Sequence, residues 1–512
     1  MKKLFLTLFL AGCIATSFAV TAPATGIAEG NGSVESPYKI GSVAELLFMR
    51  DKTNSSDEDA GSYRSASYVL TANLDMADEA DWEPISKTSS FGGSFDGNGY
   101  AIKNLKFGTS GACSEMSGVD MGLFGVVKYG KILNLKVENV GFYGFNTSEY
   151  QIGGIAGSLR AGVVDNCVVS GTLMTEQSNG VVCSIGGIAG RINTPNETVS
   201  TLIVNSFSDI TINVVSTAST AERIHVGGIA GNVSGSTNST VNSKIVNSYA
   251  VATISVDAST RECYAGGIAG QLTGTDINIL ISNCYASGDV YVKSANGSVS
   301  GIIGRSNAGT ATVKNCIALN NSIKFEKNTI PFRVAKNSKS LLFSDNFALG
   351  TDFMILQRHN SSSEWTPVVP ESNATGEHGE TLSGETLEEQ IGDALSKLNN
   401  YVSTTVTMNE VDLKAWTLKA GNDYPVFESL NTGICNNTIT VEPRIVNLNG
   451  GIEIDAPGLS DVEIYNFLGQ KIAHSEVDGS VFIKVPVKGI LIIAGSDIDG
   501  KRIFIQKHLF NK

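Results

Sequence analysis

The fold is decided by the phrase Gly153-Gly154-Ile155-Ala156-Gly157, which returns unaltered at three later places in the chain. Those copies begin at Gly186, Gly227 and Gly266, and altered copies begin at Met121 and Ser300. Successive copies start 32 to 41 residues apart. An internal period of this length indicates a solenoid, a propeller or another array of repeats.

A second phrase follows each copy and has an asparagine at its centre. Side chains on both sides of this asparagine alternate with a period of two, which is typical of strands. Asparagine tolerates the left-handed backbone conformation that a corner needs. The sequence therefore predicts one such corner per coil, with amides that hydrogen-bond up the column. The column consists of Asn134, Asn166, Asn205, Asn247, Asn283, Asn315 and, with aspartate in the same place, Asp345.

The number of strand-like runs favours a solenoid over a propeller. A propeller blade has four strands joined by hairpin turns, whereas each repeat here shows about three such runs. Asn-Gly, the strongest hairpin signal, does not recur as a column of the repeat.

These repeats resemble the GLUG-type repeats of bacterial surface proteins, which also occur beside the catalytic part of IgA-specific metallopeptidases. The resemblance covers roughly half of the chain. It implies an all-β fold, a right-handed parallel β-helix with about three short strands per coil. The chain has no His-Glu-x-x-His sequence, the zinc motif of such peptidases, so the resemblance ends at the accessory repeats.

The rest of the chain divides around the repeats. Residues 1–22 read as a secretion signal, with Lys2 and Lys3 before an apolar run; a lipoprotein box at Cys13 is the alternative. We expect an N-terminal cap and first coil over 23–106 and the repeat β-helix with its closing segment over 107–430. A linker over 431–437 then leads to a small β-sandwich over 438–512.

Three local patterns refine this division. Ser42 with Glu45 predicts a capped helix that runs through Met49, and 387–398 predicts a second helix. Trp416 and the aromatic residues of 424–427 are expected to cover the core of the final coil.

The C-terminal unit resembles the sorting domain of the Bacteroidetes type IX secretion system. The similarity lies in 462–472, 489–493 and 501–507. It implies a Bacteroidetes source and contact with secretion or envelope machinery. The usual Pro-Asn-Pro opening is replaced by Val441-Glu442-Pro443, which leaves open whether the domain is cleaved or exported by that route.

Composition limits the partners. The net charge of -13 disfavours nucleic acid, and no stretch outside the leader has the length of apolar residues that a transmembrane span needs. We therefore expect an exported protein at the cell surface or outside the cell, with an outer-membrane lipoprotein attached through Cys13 as the alternative.

Catalytic chemistry is not indicated by the residues. The five histidines are scattered, and the row that follows the asparagine corner carries no repeating acid. Asp75, Asp78, Glu79 and Asp81 lack the spacing of an ordered calcium loop and read as a solvated turn. The sequence thus predicts no catalytic, cofactor-binding or metal-binding residues and no cofactor.

The candidate binding surface is an aromatic stripe in the row after the corner. If these rings face solvent on stacked coils, they could take the apolar face of a sugar; the alternative is that they pack on one another or beneath loops. The stripe consists of Phe207, Tyr249, Tyr285 and Phe347.

These observations favour a secreted or cell-surface protein without catalytic activity, which adheres to a glycan or to a host or bacterial surface protein. One alternative is a polysaccharide-degrading enzyme with a site built from loops such as 193–200 and 235–244. The other is a scaffold subunit of an envelope assembly.

Overall fold

The structure is a computed structural model. It describes residues 26–177, 180–194, 199–218, 223–235, 242–326, 331–337, 341–350, 354–358, 364–368, 372–373, 376–405, 407–409, 411–418, 424–427, 444–448, 451–455, 459–466, 471–477, 480–485, 489–496 and 502–510. The predicted leader with Cys13 and the predicted linker over 431–437 lie outside the described residues. The chain forms two compact units, Met1–Phe427 and Glu428–Lys512.

The first unit is a parallel β-helix, so the predicted fold class is confirmed. The coil that begins at Tyr150 contains four strands, Tyr150–Gly153, Ala156–Arg160, Val163–Asp165 and Val168–Gln177, and each pairs in parallel with its counterpart in the next coil. The expected number of about three strands per coil was therefore wrong. The glycine phrase ends one strand and begins the next, and this accounts for the additional strand.

Two ladders of parallel strands meet at the asparagine corner. The ladder before the corner contains Tyr38–Ile40, Ser67–Leu70, Ser94–Asp96, Lys131–Leu133, Val163–Asp165, Thr201–Val204, Ser243–Val246, the second halves of Ala269–Ser282 and Ile303–Lys314, and Leu341–Ser344. The ladder after it contains Leu74–Asp75, Ala101–Lys103, Lys106–Phe107, Ser114–Glu115, Lys136–Phe145, Val168–Gln177, Phe207–Ser216, the first halves of Tyr249–Gly266 and Tyr285–Ser300, Ile317–Glu326, Phe347–Ala348, Met354–Arg358 and Glu380–Thr381, with Thr366–Pro367 added antiparallel.

Two further ladders meet at the glycine corner. The ladder before it contains Asp120–Met121, Tyr150–Gly153, Cys183–Gly186, Arg223–Gly227 and the second halves of Tyr249–Gly266 and Tyr285–Ser300. The ladder after it contains Ile85–Phe91, Phe124–Lys128, Ala156–Arg160, Ala189–Asn193, Ala230–Ser234, the first halves of Ala269–Ser282 and Ile303–Lys314, and Ala335–Asn337.

One apolar core runs through the coils, because the same kinds of side chain point inward in each turn. Ile155, Ile188, Ile229, Ile268 and Ile302, all from the glycine phrase, are fully buried in it. Cys167, Cys284 and Cys316 are buried free thiols and so act as small apolar fillers.

The N-terminal end is covered by two helices, α1 (Val43–Asn54) and α2 (Ala60–Ser65). Ser42 caps α1 by accepting from the Glu45 amide, and Glu45 accepts in return from the amide of Gly41. The helix continues five residues past the predicted end at Met49. Trp82 lies below this cap and donates its Nε1–H to the Gly122 carbonyl at 3.1 Å.

The repeat ends where an arginine takes the place of a glycine. Phe332 pairs with Ser300, so Arg333 occupies the column of Gly301. Its guanidinium is almost fully buried and donates to the carbonyls of Leu349, His378 and Gly379. The arginine therefore ties the last coil to 376–382, the segment that adds the final short strand at this end.

A lateral segment, here called the strap, packs along the side of the coils. It comprises α3 (Leu387–Thr404), 411–418 and 424–427, with two short hairpins, Thr407–Met408 with Val411–Asp412 and Trp416–Thr417 with Val426–Phe427. Thr386 and Glu389 form a full capping box at the start of α3. Trp416 and Phe427 contact Tyr249 of a middle coil, so the expectation that they cover the final coil was wrong.

The second unit is all-β and has two antiparallel sheets that share an apolar core. Its strands are Arg444–Leu448, Gly451–Asp455 and Ser480–Lys484 in one sheet, and Lys471–Glu476, Asp461–Asn466, Gly489–Ser496 and Arg502–Phe510 in the other.

Candidate functional site

The predicted aromatic stripe is a packing layer in which three rings are buried and that of Phe207 is partly buried. Phe207, Tyr249 and Tyr285 lie in register on neighbouring strands and stack with centroids 4.6 and 4.9 Å apart. Phe347 belongs to the same row, one strand beyond Ile317. Tyr249, Tyr285 and Phe347 are nevertheless only 4%, 0% and 8% exposed. We therefore correct the expectation that they could contact a sugar: among the described side chains, those of the strap cover them.

The strap covers the stripe with matched contacts. Trp416 lies 5.7 Å from the ring of Tyr249 and 5.6 Å from that of Tyr285. The Tyr285 hydroxyl donates to the Pro425 carbonyl at 2.5 Å. Lys397 of α3 lies over the ring of Phe347 at 4.0 Å. A ligand could reach these rings only if the strap left the coils.

The asparagine column forms the ladder of amides beside the stripe. All seven residues, from Asn134 to Asp345, have φ between +48° and +54°. Asn247, Asn283 and Asn315 each donate to the preceding asparagine at 2.7 to 2.8 Å. The ladder is interrupted once, where Asn205 donates to Asp165 and Lys414 of the strap donates to Asn166. The column is therefore a structural element that the strap also covers.

A polar layer lies at the glycine corner, where two rows of mainly polar side chains face each other outside the apolar core. These side chains are buried, apart from the partly exposed Arg191 and Arg305. We call this layer the seam. Its first row is Asp120, Gln151, Ser184, His225, Tyr264 and Ser298. Its second row begins with Val126 and continues with Ser158, Arg191, Asn232, Gln271 and Arg305.

The glycines of the corner bring the two rows together. A Cβ at Gly157 would lie 2.7 Å from the Asp120 side chain, and one at Gly190 would lie 2.8 Å from the Gln151 side chain. Real Cβ atoms do not approach so closely, so these positions require glycine. Each second-row strand thus packs on the first-row strand of the preceding coil.

The seam concentrates positive charge on an acidic protein. Four arginines, Arg160, Arg191, Arg223 and Arg305, and three carboxylates, Asp120, Glu149 and Glu262, lie along it, so its formal charge is +1 while that of the chain is -13. Arg191 pairs with Glu149 at 3.3 Å and Arg223 with Glu262 at 2.9 Å. Arg305 lies 4.8 Å from the ring centroid of Tyr264.

Hydrogen bonds fix this charged rim. Glu262 accepts from the Tyr264 hydroxyl at 2.9 Å and from the Asn296 amide at 3.3 Å. Burial would raise the pKa of Glu262, but the bonds from Arg223 and Tyr264 lower it overall. The carboxylate therefore stays ionised at neutral pH and holds Arg223 in place.

Asp120 is a buried carboxyl group of the seam with a raised pKa. Its side chain is 6% exposed, and its Oδ1 atom has no hydrogen-bond partner. Burial raises the pKa of Asp120 to about 6, although Arg160 and Arg191 lower it and Glu149 raises it further. Asp120 is thus a carboxyl group that changes charge close to neutral pH.

We expect Asp120→Asn to raise the free energy of unfolding at pH 7 by about 2 kcal/mol. The folded pKa of about 6 exceeds the unfolded value of about 3.9. The stability that Asp120 contributes is therefore full below about pH 4, falls as the pH rises to about 6, and stays low above it.

Urea unfolding of both proteins between pH 4 and 8 measures this difference. Asp209→Asn, which changes an exposed aspartate on another wall, is the control and should follow the wild type. Equal stability of Asp120→Asn and wild type at every pH would contradict the proposed burial of an ionisable carboxyl group.

A serine and a histidine also meet in the seam. Ser184 Oγ lies 3.1 Å from His225 Nδ1, and the imidazole stacks on Tyr264 at 6.1 Å with an 11° angle between the rings. Both side chains are buried, so the pair does not present a nucleophile at the surface. Its geometry is that of a packed polar contact.

The acidic turn near the N-terminal cap is held by protein groups. Asp75 accepts from Asn104 at 2.6 Å, and Asp81 accepts from the Gly108 amide at 3.0 Å. The bond from Asn104 lowers the pKa of Asp75. Within the described residues, no three His, Cys, Asp or Glu side chains come together in a way that could hold a metal ion.

The sequence did not reveal the seam, because its rows change identity from coil to coil. Asp120, Gln151, Ser184, His225 and Tyr264 share a position but no chemistry. The signal that could have found them is the position itself: each residue stands two before the first residue of the glycine phrase, or one before it in the altered first copy.

The family described as the GLUG motif matches residues 262–291. This segment includes one asparagine corner and parts of the long strands Tyr249–Gly266 and Tyr285–Ser300. The match covers this one segment, and the stacked coils around it form a parallel β-helix.

Curated proteins are similar in sequence to part of this chain. Halomucin of Haloquadratum walsbyi is 31% identical over 179 residues, which are 33% of this chain and 2% of halomucin. The immunoglobulin A1 proteases of Streptococcus sanguinis and Streptococcus pneumoniae are 28% and 26% identical over 251 and 247 residues. These segments are 47% and 48% of this chain, and 11% and 10% of the proteases. The chain therefore spans only a small part of the length of these curated relatives.

A solved structure described as a candidate immunoglobulin A1 protease from Bacteroides ovatus is also similar. The superposition covers 78% of this chain and 94% of that one, with 21% identity and a TM-score of 0.48.

Within the part of the chain that the structure describes, no helix is long and apolar enough to cross a membrane.

Proposed function

We propose that this protein is a secreted or cell-surface parallel β-helix protein without catalytic activity, and that it binds an extended glycan or a surface protein. The observation that carries the proposal is the rim of the seam, where four arginines that are partly or largely exposed stand on different coils above the buried polar rows. Coils stack about 4.8 Å apart, so an extended ligand that crosses them meets a new set of side chains at each step.

The location is part of the same proposal. Its support is the secretion-signal pattern in residues 1–22, the relation to halomucin and to immunoglobulin A1 proteases, and the likeness of residues 438–512 to a sorting domain. A Bacteroidetes source and contact of this domain with secretion or envelope machinery follow from that likeness. Acylation at Cys13 would instead make the protein an outer-membrane lipoprotein.

Arginine suits such a rim because its planar guanidinium binds carboxylate, sulfate or hydroxyl oxygens with two parallel hydrogen bonds. Arg191 and Arg305 belong to the second row and lie on different coils, and each is only partly buried. Both side chains are oriented by contacts within the seam, to Glu149 and to Tyr264. This orientation reduces the entropy that they lose on binding.

We expect the double variant Arg191→Gln, Arg305→Gln to weaken binding roughly tenfold or more, because each charge-assisted hydrogen bond contributes about 1.5–3 kcal/mol. Residues 26–512 would be used to probe an array of glycans and matrix proteins. The control is Lys131→Gln, Lys314→Gln, which removes the same charge from exposed positions on the wall before the asparagine corner.

Circular dichroism would establish that both double variants are folded. Equal binding by the two double variants would contradict a role for the seam. Failure of the wild-type protein to bind any glycan or matrix protein would overturn the proposed binding function and favour the third candidate, a scaffold subunit of an envelope assembly, for which copurifying partners are the test.

A polysaccharide-degrading enzyme is the second candidate, and Asp120 is the observation that favours it. A carboxyl group with a pKa near 6 is suited to general acid catalysis, and Arg160 and Arg191 lie close enough to act on it. Asp120 is only 6% exposed, so a polysaccharide would reach it only if the seam opened. Release of oligosaccharides from a broad polysaccharide panel, lost in Asp120→Asn, would favour this candidate over the first.

A further inference from the structure

A second group of aromatic and charged side chains lies on the wall after the asparagine corner, at its C-terminal end. Tyr291, Glu326 and Arg358 come from three successive strands, and Trp365 comes from the segment that adds Thr366–Pro367 to the edge of this wall. We call this group the tryptophan patch. The strap contacts that cover the aromatic stripe do not involve it.

The patch is built by several contacts. Trp365 meets Tyr291 edge to face at 6.2 Å, and the Arg358 guanidinium lies 4.9 Å from the centroid of the Trp365 ring. Glu326 pairs with Arg358 at 2.5 Å and accepts from the Tyr291 hydroxyl at 2.8 Å. Burial would raise the pKa of Glu326, but its bonds to Arg358 and Tyr291 lower it overall, so this network is charged and intact at neutral pH.

An ion pair borders the patch on the same face. Lys293 stands in register with Glu326 and pairs with Asp257 at 3.0 Å, and the two side chains are 34% and 51% exposed. Exposed pairs of this kind contribute little to stability. Breaking this pair therefore costs little, and the ammonium and carboxylate groups can then form hydrogen bonds to the hydroxyl groups of a ligand.

We infer that the tryptophan patch is a carbohydrate subsite, in which a neutral pyranose ring packs against Trp365 and Tyr291 while its hydroxyl groups bond to Asp257 and Lys293. Aromatic rings beside fixed donors and acceptors suit a ligand with one apolar face and a polar rim. The two acids and two bases balance, which favours a neutral sugar over an acidic one. The inference rests on the proposed function, because it names the class of glycan that the protein would bind.

The tryptophans of this protein make a direct test possible. The chain has three, and Trp82 and Trp416 are only 2% and 3% exposed. Trp365 is partly exposed, so a change in tryptophan emission on adding sugar reports on the patch. Cellohexaose, xylohexaose and mannohexaose are the neutral probes, and hexagalacturonate is the acidic one.

We expect a saturable change in emission with at least one neutral hexaose and a weaker one with hexagalacturonate. Calorimetric titration should show affinity lost in Trp365→Ala, retained in Trp365→Tyr, and reduced roughly tenfold in Tyr291→Ala, since Tyr291 supplies one of the two aromatic contacts to the sugar ring. Tyr129→Ala, which removes a tyrosine that is 50% exposed on an earlier coil, is the control and should leave affinity unchanged.

Two results separate failure of the patch from failure of the proposed function. Neutral glycan that binds Trp365→Ala as tightly as wild type, but not the seam variant Arg191→Gln, Arg305→Gln, would overturn the patch and retain the function. Binding to a matrix protein without binding to any hexaose would do the same. Stronger binding of hexagalacturonate than of every neutral probe would overturn the choice of a neutral ligand.

Discussion

Replacing Arg333 with methionine is expected to lower the free energy of unfolding of the β-helix by on the order of 3 kcal/mol. The change leaves the carbonyls of Leu349, His378 and Gly379 buried without their side-chain donor, which sits 2.8 to 3.2 Å away in the native protein. Among the described hydrogen bonds, the carbonyls of Leu349 and His378 have no other donor, whereas that of Gly379 also accepts from the Asn373 amide at 2.9 Å. Each buried group left without a partner costs about 1–3 kcal/mol. Relief from burying a guanidinium offsets part of this loss.

The surroundings of Arg333 support this expectation. Burial lowers the pKa of Arg333 to about 10, and burial together with the nearby guanidinium lowers that of His378 to about 4. At pH 7 the arginine is therefore charged and the histidine neutral. Within the described contacts of its guanidinium, Arg333 is stabilised by carbonyl and hydroxyl oxygens.

Urea unfolding followed by circular dichroism measures the effect, and hydrogen exchange of 376–382 locates it. Arg64→Met is the matched control: Arg64 makes a single side-chain bond of 3.1 Å to the Thr53 carbonyl in the N-terminal cap, and its loss should cost about 1 kcal/mol or less. If Arg333→Met unfolds at the same urea concentration as Arg64→Met, the arginine does not hold the last coil.

Local repetition explains why so much of the fold could be predicted. An asparagine at each corner and a period-two pattern around it determine which residues become neighbours on stacked coils, so the register of Phe207 with Tyr249 and of Tyr249 with Tyr285 followed from the sequence. Their direction, away from the core, followed as well. What packs against them did not, because the strap is some 170 residues further along the chain and no repeat relates the two.

Two other structural features could not be predicted from the sequence, for related reasons. Arg333 occupies a glycine-phrase position in a coil where the phrase is no longer recognisable. Comparison of the repeats with one another therefore does not reach this residue, which closes the last coil. Asn104 and Asn139 form a short second ladder with Asp75, at 2.6 and 2.7 Å, and both have positive φ. This ladder spans only the first coils, which is too few copies for a column to stand out from the sequence.

The seam and the tryptophan patch could not be predicted from the repeats either. A solenoid repeats its backbone and its core, whereas outward positions are free to differ between coils. A site on such a surface combines unlike residues from different coils, such as Tyr291, Glu326 and Arg358. The repeats therefore predict the scaffold, whereas a site on it is recognised only from the geometry of its side chains.

Asn247→Ala is expected to destabilise the β-helix by about 4 kcal/mol. Its side chain donates to Asn205 Oδ1 at 2.8 Å and to the Lys414 carbonyl at 2.9 Å, and it accepts from Asn283 at 2.7 Å and from Trp416 Nε1 at 2.8 Å. Alanine removes all four bonds and also disfavours the φ of +48°, at about 1–2 kcal/mol for a residue with a Cβ.

Asn247→Gly separates the two contributions, because glycine adopts positive φ without strain but makes none of the four bonds. It should recover about 1 kcal/mol of the loss and no more. Asn134→Ala, at the N-terminal end of the column, removes one donated bond to Asp96 and one accepted from Asn166 at a similar φ, so it should cost about half as much.

Urea unfolding gives the three free energies, and the emission of Trp416 shows whether the strap has left the coils. The bond from Trp416 to Asn247 and its ring contacts with Tyr249 and Tyr285 place this tryptophan in a buried site, so release of the strap should shift its emission to longer wavelength. Full recovery in Asn247→Gly would mean that the asparagine serves the corner alone. The strap would then be held by its aromatic contacts, and the amide ladder would contribute nothing to its attachment.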